Sequence, residues 1–495
     1  MIHKRFFEFI STKKDFSSKD SLKILVIFTL ITFLVLVNHE MWRDEIQAWL
    51  LARDSSSIIN LFSNLKYEGH TPLWHLLLFP LAKMNLPIIS MQLLGWTIGL
   101  LIAAVILVQS PFSRAEKLLF IFGYYFFYEY VILSRNYGIS LLFLFLSLNL
   151  FFKKWNFLSL FLLSLSALSN IFSLILSSVL GLYFLYRSDA KKIFSVSFFS
   201  GGLIYIFTLS FCFLLLFPPD DRAFGLTSEN FVFDLDRFFT VGYKIAHAFL
   251  PFTSVSLEYF SWNTWSLNPF IALLIFLTSV SFLIRLYYFS AISFLFLVLV
   301  AFLFFVFQYT IYPASSLRHS GIFLGAFIIF YWISILENEK HNLSKGSFIF
   351  KLNSKLYFAS LIFSAFLSIY ALSFDYIYKF SNAKDAATFL NDNLSSVDGA
   401  KIFVDGSSEG SSVIGHANYN QAFYRQGMRY GSFNRWDSER LIEGKLSQID
   451  FSRFEILLMS YKLDEIPSNF ELVAEFAEMN PVNENFYIYL KKGLN

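Results

Sequence analysis

Apolar runs of membrane length recur along the first three quarters of the chain, separated by short polar turns. By the hydropathy criterion eleven stretches read as spans: 22–38, 88–110, 117–134, 137–152, 155–169, 171–186, 193–217, 267–284, 288–309, 320–335 and 356–374. A further apolar stretch, "HTPLWHLLLFPLAKM" from His70 to Met84, falls short of the roughly 20 residues needed to cross. It reads as a helix lying in the membrane interface, with Thr71 as N-cap, Pro72 at the first helical position and Trp74 at headgroup depth. Just before it, "RDEIQAWLLARD" predicts a second interfacial helix. Ile46, Trp49, Leu50 and Arg53 share one of its faces, and Asp44 sits on another with Ala48 and Leu51. The loop 39–86 therefore holds two interfacial helices, and a second large loop covers 218–266. Past 375 the rhythm changes to a helix, "NAKDAATFLNDNL", then strands in "AKIFV", "EILLMSY", "FELVAEF" and "NFYIYLK". That pattern predicts a small soluble α/β unit over 375–495, in which "VDGSSEGSS" follows the first strand, a position where open α/β sheets bind ligands, but reads first as a solvated turn.

Composition agrees with a polytopic α-helical membrane protein, since 56% of the 495 residues are hydrophobic and 65 are Phe. The basic residues then orient it. Lys4, Arg5, Lys13, Lys14, Lys19 and Lys23 precede the first span, which carries no small-residue cleavage site and reads as an uncleaved signal anchor with 1–21 in the cytoplasm. On that footing Arg114, Lys117, Lys153, Lys154, Arg187, Lys191, Lys192, Arg285 and the run from Lys340 to Lys355 all fall inside, as the positive-inside rule requires. Both large loops and the 375–495 unit fall outside. That unit has 12 Lys and Arg against 17 Asp and Glu, net −5, which leaves +8 for the rest of a chain whose total is +3. The single cysteine, Cys212, excludes an intrachain disulfide and a cysteine-based metal cluster. No phosphate-binding loop, HExxH pair or Gly-x-Ser-x-Gly elbow occurs, so a nucleotide-powered pump is not expected, nor is a nucleic-acid partner.

What remains is a set of polar residues at one depth on the outer side. They are Arg43, Asp44 and Glu45 after the first span, Glu68 and His70 before the interfacial helix, Arg135, Asn136 and Tyr137 between the third and fourth spans, and Arg318 and His319 before the tenth. Ionisable groups at membrane level are costly and are usually retained for function. Arg43 and Glu45 also suit headgroup contacts, and Arg135 and Arg318 suit end-of-span anchors. A carboxylate gains nothing from anionic headgroups, so Asp44 stands apart. A carboxylate among cations at the outer surface fits glycosyl transfer from a polyprenyl-phosphate sugar. The cations stabilise the departing phosphate and the carboxylate takes the proton of an incoming hydroxyl.

The runs "RDEIQAW", "EGHTPLWHLLLFPLAKM" and "FFYEYVILSRNYGISLLFLFLSLNLF" resemble the GT-C glycosyltransferases, in the branch of protein O-mannosyltransferases and lipid A aminoarabinose transferases. "SSLRHSGIFLGAFIIFYW" resembles the Arg-Tyr turn late in the membrane part of that branch, with His319 where Tyr is common. The likeness covers about residues 20–375, with 22–374 as the catalytic membrane domain. It implies Asp44 as general base with Glu45 in support. It further implies Arg43, His70, Arg135, Arg318 and His319 at the donor phosphate or lipid, and Tyr137 near the sugar or lipid. The expected reaction is an inverting displacement, with a protein, lipid or glycan acceptor. Some relatives hold a divalent metal near the donor phosphate, for which Glu68 and His70 are the candidate ligands here. A lipid-linked sugar transporter or flippase and a non-catalytic envelope protein are the alternatives. The expected location is the bacterial cytoplasmic membrane.

Overall fold

The computed structural model describes residues 15–217, 219–222, 231–252, 254–255, 260–262, 268–312, 316–337, 348–394 and 397–493. Its helices are α1 (Ser18–Leu36), α2 (Arg43–Asp54), α3 (Ile58–Glu68), α4 (Leu73–Lys83), α5 (Ile89–Gln109), α6 (Arg114–Ile121), α7 (Tyr137–Phe152), α8 (Asn156–Ala167) and α9 (Ile171–Tyr186). There follow α10 (Ala190–Ile193), α11 (Val196–Leu216), α12 (Leu235–Ala246), α13 (Pro269–Phe289), α14 (Ala291–Thr310), α15 (Leu317–Glu337), α16 (Phe348–Ile377), α17 (Ala383–Asn393) and α18 (Ser407–His416). Among the described residues six of these, α5, α11, α13, α14, α15 and most of α16, are long and apolar enough to cross a membrane; α4, α7, α8 and α9 are apolar but shorter. Burial sorts the six. α15 is enclosed over nearly its whole surface, whereas α11 and α14 present Phe207, Phe213 and Phe302 outward, as lipid-facing helices do.

The stretch expected as a single span over 117–134 is broken. α6 ends at Ile121, a π turn follows over Tyr125–Glu129, and no regular helix resumes before Tyr137. Buried tyrosines explain the break, because their hydroxyls reach partners that a continuous helix would not bring within range. Tyr125 donates to the His247 carbonyl at 3.3 Å and Tyr130 to the Arg318 carbonyl at 2.7 Å. Here α15 presses close. A Cβ added at Gly321 would lie 2.2 Å from the Tyr130 hydroxyl and 2.3 Å from Tyr125 Cδ1. Gly321→Ala is therefore expected to destabilise the protein by about 1–3 kcal/mol through overpacking. Thermal unfolding in detergent checks this, and an unchanged midpoint contradicts it.

Three more expectations need correction. The 39–86 loop carries three helices rather than two, because Ser57 caps α3 and Gly69, left-handed at φ 68°, ends it. α4 starts one residue later than expected, with Pro72 at the N-cap position and the buried Thr71 hydroxyl without a partner among the described residues. Arg285 is not a loop charge but lies inside α13 in a buried ion pair with Glu116 at 2.6 Å.

The C-terminal part is a mixed sheet of β3 (Ile402–Val404), β4 (Ala422–Tyr424), β5 (Arg429–Gly431), β6 (Ile456–Met459), β7 (Phe470–Phe476) and β8 (Phe486–Lys491), ordered β5-β4-β3-β6-β8-β7. Two-residue strands β1 (Ser254–Val255) and β2 (Phe260–Ser261) pair separately. Alternation decides the layers: Ile402, Val404, Ile456 and Leu458 face α17 and α18, while Phe403, Leu457 and Met459 pack on Phe451 and Phe454. "VDGSSEGSS" is not a solvated turn, since from Ser407 it forms the first turns of α18.

Candidate functional site

The site is built at one end of the bundle, where α2, the break before α7 and the start of α15 meet. α2 begins at Arg43 because Glu45 folds back on the Trp42 N–H at 3.4 Å, and because Asp44 and Glu45 in its first turn complement the helix dipole. The Asp44 carboxylate lies 2.8 Å from Arg318 Nη2 and 3.9 Å from Arg135 Nη2. Arg135 also donates to the Asp44 carbonyl. Burial opposes the charge on Asp44, but Arg318, Arg135 and Arg43 together outweigh it and hold the carboxyl below its usual range. Its side chain is still 30% exposed, so a reactant has access to it.

Arg318 is positioned by an aromatic pair. Its guanidinium sits 5.4 Å from the Trp42 ring and 5.7 Å from the Trp262 ring, against an edge-to-face pair whose centroids are 4.9 Å apart. Beside it, the His319 ring accepts the Ser316 N–H on Nδ1 at 2.8 Å. The proton then belongs on Nε2, which donates to the Tyr137 hydroxyl oxygen at 2.9 Å. That arrangement leaves the Tyr137 O–H free to turn toward another acceptor. The Arg135–Tyr137 turn is itself held by Asn136, which donates to the Ser169 carbonyl at 3.0 Å.

Three adjacent residues of α2 separate completely. Glu45 is fully buried, accepting the Ser134 N–H at 2.6 Å on one oxygen and facing His39 Nε2 at 3.1 Å on the other. His39 Nδ1 lies 2.9 Å from Asp375, so one imidazolium bridges the α1–α2 turn to the end of α16. Arg43 points to the C-terminal part, where it pairs with Glu409 and its backbone N–H donates to Glu484 at 3.1 Å. Burial disfavours a charged His39, yet Asp375 and Glu45 outweigh it and raise the group to about 10. Its folded value lies above the unfolded one, so its stabilisation is complete below pH 6.5 and disappears as pH climbs toward 10. The stability gap between wild type and His39→Gln should accordingly be widest below pH 6.5 and narrow toward pH 10. A gap that widens with pH contradicts the assignment.

His70 and Glu68 flank the cluster at the α3–α4 turn. Burial, reinforced by Arg135 and Arg318, lowers His70 to about 3, so it is a neutral ring at physiological pH, with a buried Nδ1 that has no partner among the described residues. Burial raises Glu68 to about 7 against the Gln47 amide, which donates to it at 2.7 Å. Gly69 lies between them because a Cβ there would come 2.7 Å from Arg222 Nη2. These residues do not fit a divalent cation. Three guanidinium groups, Arg135, Arg318 and Arg222, bear on His70, and no group of three His, Cys, Asp or Glu ligands occurs among the described residues.

Of the residues expected from sequence, Asp44, Arg135 and Arg318 are brought into contact, Tyr137 and His319 into a neighbouring pair, and His70 within range of all three charges. Trp42, Trp262, His39, Asp375 and Glu129 were not anticipated. Glu129 accepts the Trp262 indole N–H at 3.0 Å and so fixes one ring of the aromatic pair beside Arg318. A signal for it existed: an acidic residue inside an apolar run.

Helix arrangement and C-terminal sheet together define a polytopic chain whose fold is similar to the GT-C fold. The particular likeness is to ArnT from Cupriavidus metallidurans bound to undecaprenyl phosphate, with TM-score 0.54 and 11% identity over 97% of this chain and 99% of that one. At that identity the likeness speaks for the fold. The arabinofuranosyltransferase AftD from Mycobacteria aligns at TM-score 0.33 and 10% identity, over 96% of this chain and 42% of that one, which is too distant to weigh. No family model and no curated protein matches the chain.

Proposed function

We propose that the chain is a glycosyltransferase that moves a sugar from a polyprenyl-phosphate donor to an acceptor hydroxyl or phosphate on the outer face of the membrane. One observation carries this reading: a partly exposed carboxylate, Asp44, is joined to two guanidinium groups, Arg318 and Arg135, delivered by widely separated segments. The GT-C fold shared with a protein that holds undecaprenyl phosphate supports it. For a hydroxyl acceptor, Asp44 takes the proton as the oxygen attacks the anomeric carbon. The bond from that carbon to the phosphate oxygen breaks, and the electron pair leaves with the phosphate, whose charge Arg135 and Arg318 stabilise. Attack opposite the leaving phosphate inverts the anomeric centre. Glu45 acts as a positioning residue, because both its oxygens are engaged, and Arg43 belongs to the contact with the C-terminal part.

The full-length protein, incubated with sugar-loaded polyprenyl phosphate and an envelope extract as acceptor source, should release polyprenyl phosphate and give a product of inverted anomeric configuration by NMR. Retained configuration contradicts the single displacement.

A further inference from the structure

The C-terminal sheet carries a cavity of about 280 Å³ that the chemistry above leaves unused. It opens at the carboxyl ends of three strands: Asp405 follows β3, Arg425 follows β4, and Ser460 and Tyr461 follow β6. β4 and β6 both run parallel to β3 on its two sides, and this is where open α/β sheets leave a ligand crevice. Gly406 forms part of the lining at φ 83°, and a Cβ there would sit 2.4 Å from Ser460 Oγ. Only glycine lets the β3–α18 turn come this close.

The lining offers acceptors and donors together. Asp405 accepts Arg425 Nη1 at 2.6 Å and the Tyr461 hydroxyl at 2.6 Å, and Arg425 reaches Glu443 at 2.8 Å. Arg440 stacks on Trp436 at 3.4 Å and donates to Gln426 at 3.0 Å, while its Nη1 is buried with no hydrogen-bond partner among the described residues. Asp405, Glu409 and Glu443 stand against Arg425 and Arg440 in the lining and Arg43 beside it, which leaves no surplus of positive charge to draw an anion. The remaining lone pairs of Asp405 and Glu443 and the unspent Arg440 Nη1 suit a neutral ligand rich in hydroxyls.

Position connects the cavity to the transfer site. Glu409 in its lining is the ion-pair partner of Arg43, the residue before Asp44. α18 packs on α2 so tightly that a Cβ on Gly415 would lie 2.3 Å from Ile46. We propose that this cavity binds a saccharide unit of the acceptor and presents its hydroxyl toward Asp44. The second half of that statement rests on the transferase reading; the first does not.

Saturation-transfer NMR of the full-length protein in detergent, with a panel of methyl glycosides as probes and inorganic phosphate as competitor, tests it. Wild type and Asp44→Asn should both transfer saturation to a glycoside. Arg440→Gln and the half-exposed Glu443→Gln should each weaken binding about tenfold, the effect of losing a charge-assisted hydrogen bond. Two variants guard against misfolding in one. No transfer to any glycoside, equal transfer in both variants, or displacement by phosphate overturns the site. Glycoside binding that depends on Arg440, in a protein that releases no polyprenyl phosphate, overturns the transferase reading and supports saccharide binding here.

Discussion

Asp44→Asn is expected to lower kcat/KM for sugar transfer by about 100- to 10,000-fold, the usual contribution of a general base. The amide keeps the shape of the carboxylate and still offers Arg318 an oxygen, but it takes no proton. Donor binding should persist, because the two guanidinium groups remain and the anion that competes with the donor phosphate has gone. In the free protein Asp44 is a poor base, held ionised and below its usual range by Arg318, Arg135 and Arg43. Donor phosphate drawing on the same guanidinium groups would loosen the 2.8 Å contact with Arg318 and raise the basicity of Asp44 only when a sugar is in place. Near-normal turnover in Asp44→Asn would instead fit a transporter, which needs cations at the phosphate and no base.

Arg318→Ala should cost transfer about 100- to 1,000-fold, because it removes both a phosphate contact and the main counter-charge of Asp44. Arg318→Lys should recover only part of this. An ammonium keeps the charge but loses the planar guanidinium that reaches Asp44 through Nη2 and packs against Trp42 and Trp262. A pH profile separates this role from mere packing. Without Arg318 the carboxyl of Asp44 rises, so the acidic limb of kcat/KM moves to higher pH. An Arg318→Ala protein with reduced activity and an unmoved acidic limb would place Arg318 outside the chemistry.

Hydropathy made most helices legible, because a 21-residue apolar helix such as α5 or α11 leaves little alternative. It failed at 117–134, where the apolar run conceals tyrosines whose hydroxyls need partners on α15 and at His247. Short sheet elements were also hidden: β4 and β5 hold three residues each, too few for a period to show. For the site, helical spacing put Asp44 on a different face of α2 from Ile46, Trp49 and Leu50, but both faces are buried and spacing did not say which neighbour turned inward. A rotation of about 100° per residue sends Arg43, Asp44 and Glu45 to three different surroundings, and tertiary packing alone decides which is which. His39 stood in plain view beside them, yet its partner Asp375 lies 336 residues away, a separation no local pattern spans.

The most direct measurement is mass spectrometry of envelope lipids, glycans and glycoproteins from cells lacking the chain, complemented with either wild type or Asp44→Asn. The account predicts one sugar-bearing species that wild type restores and Asp44→Asn does not, with sugar-loaded polyprenyl phosphate accumulating in the variant. Restoration of that species by Asp44→Asn to the wild-type level would contradict it.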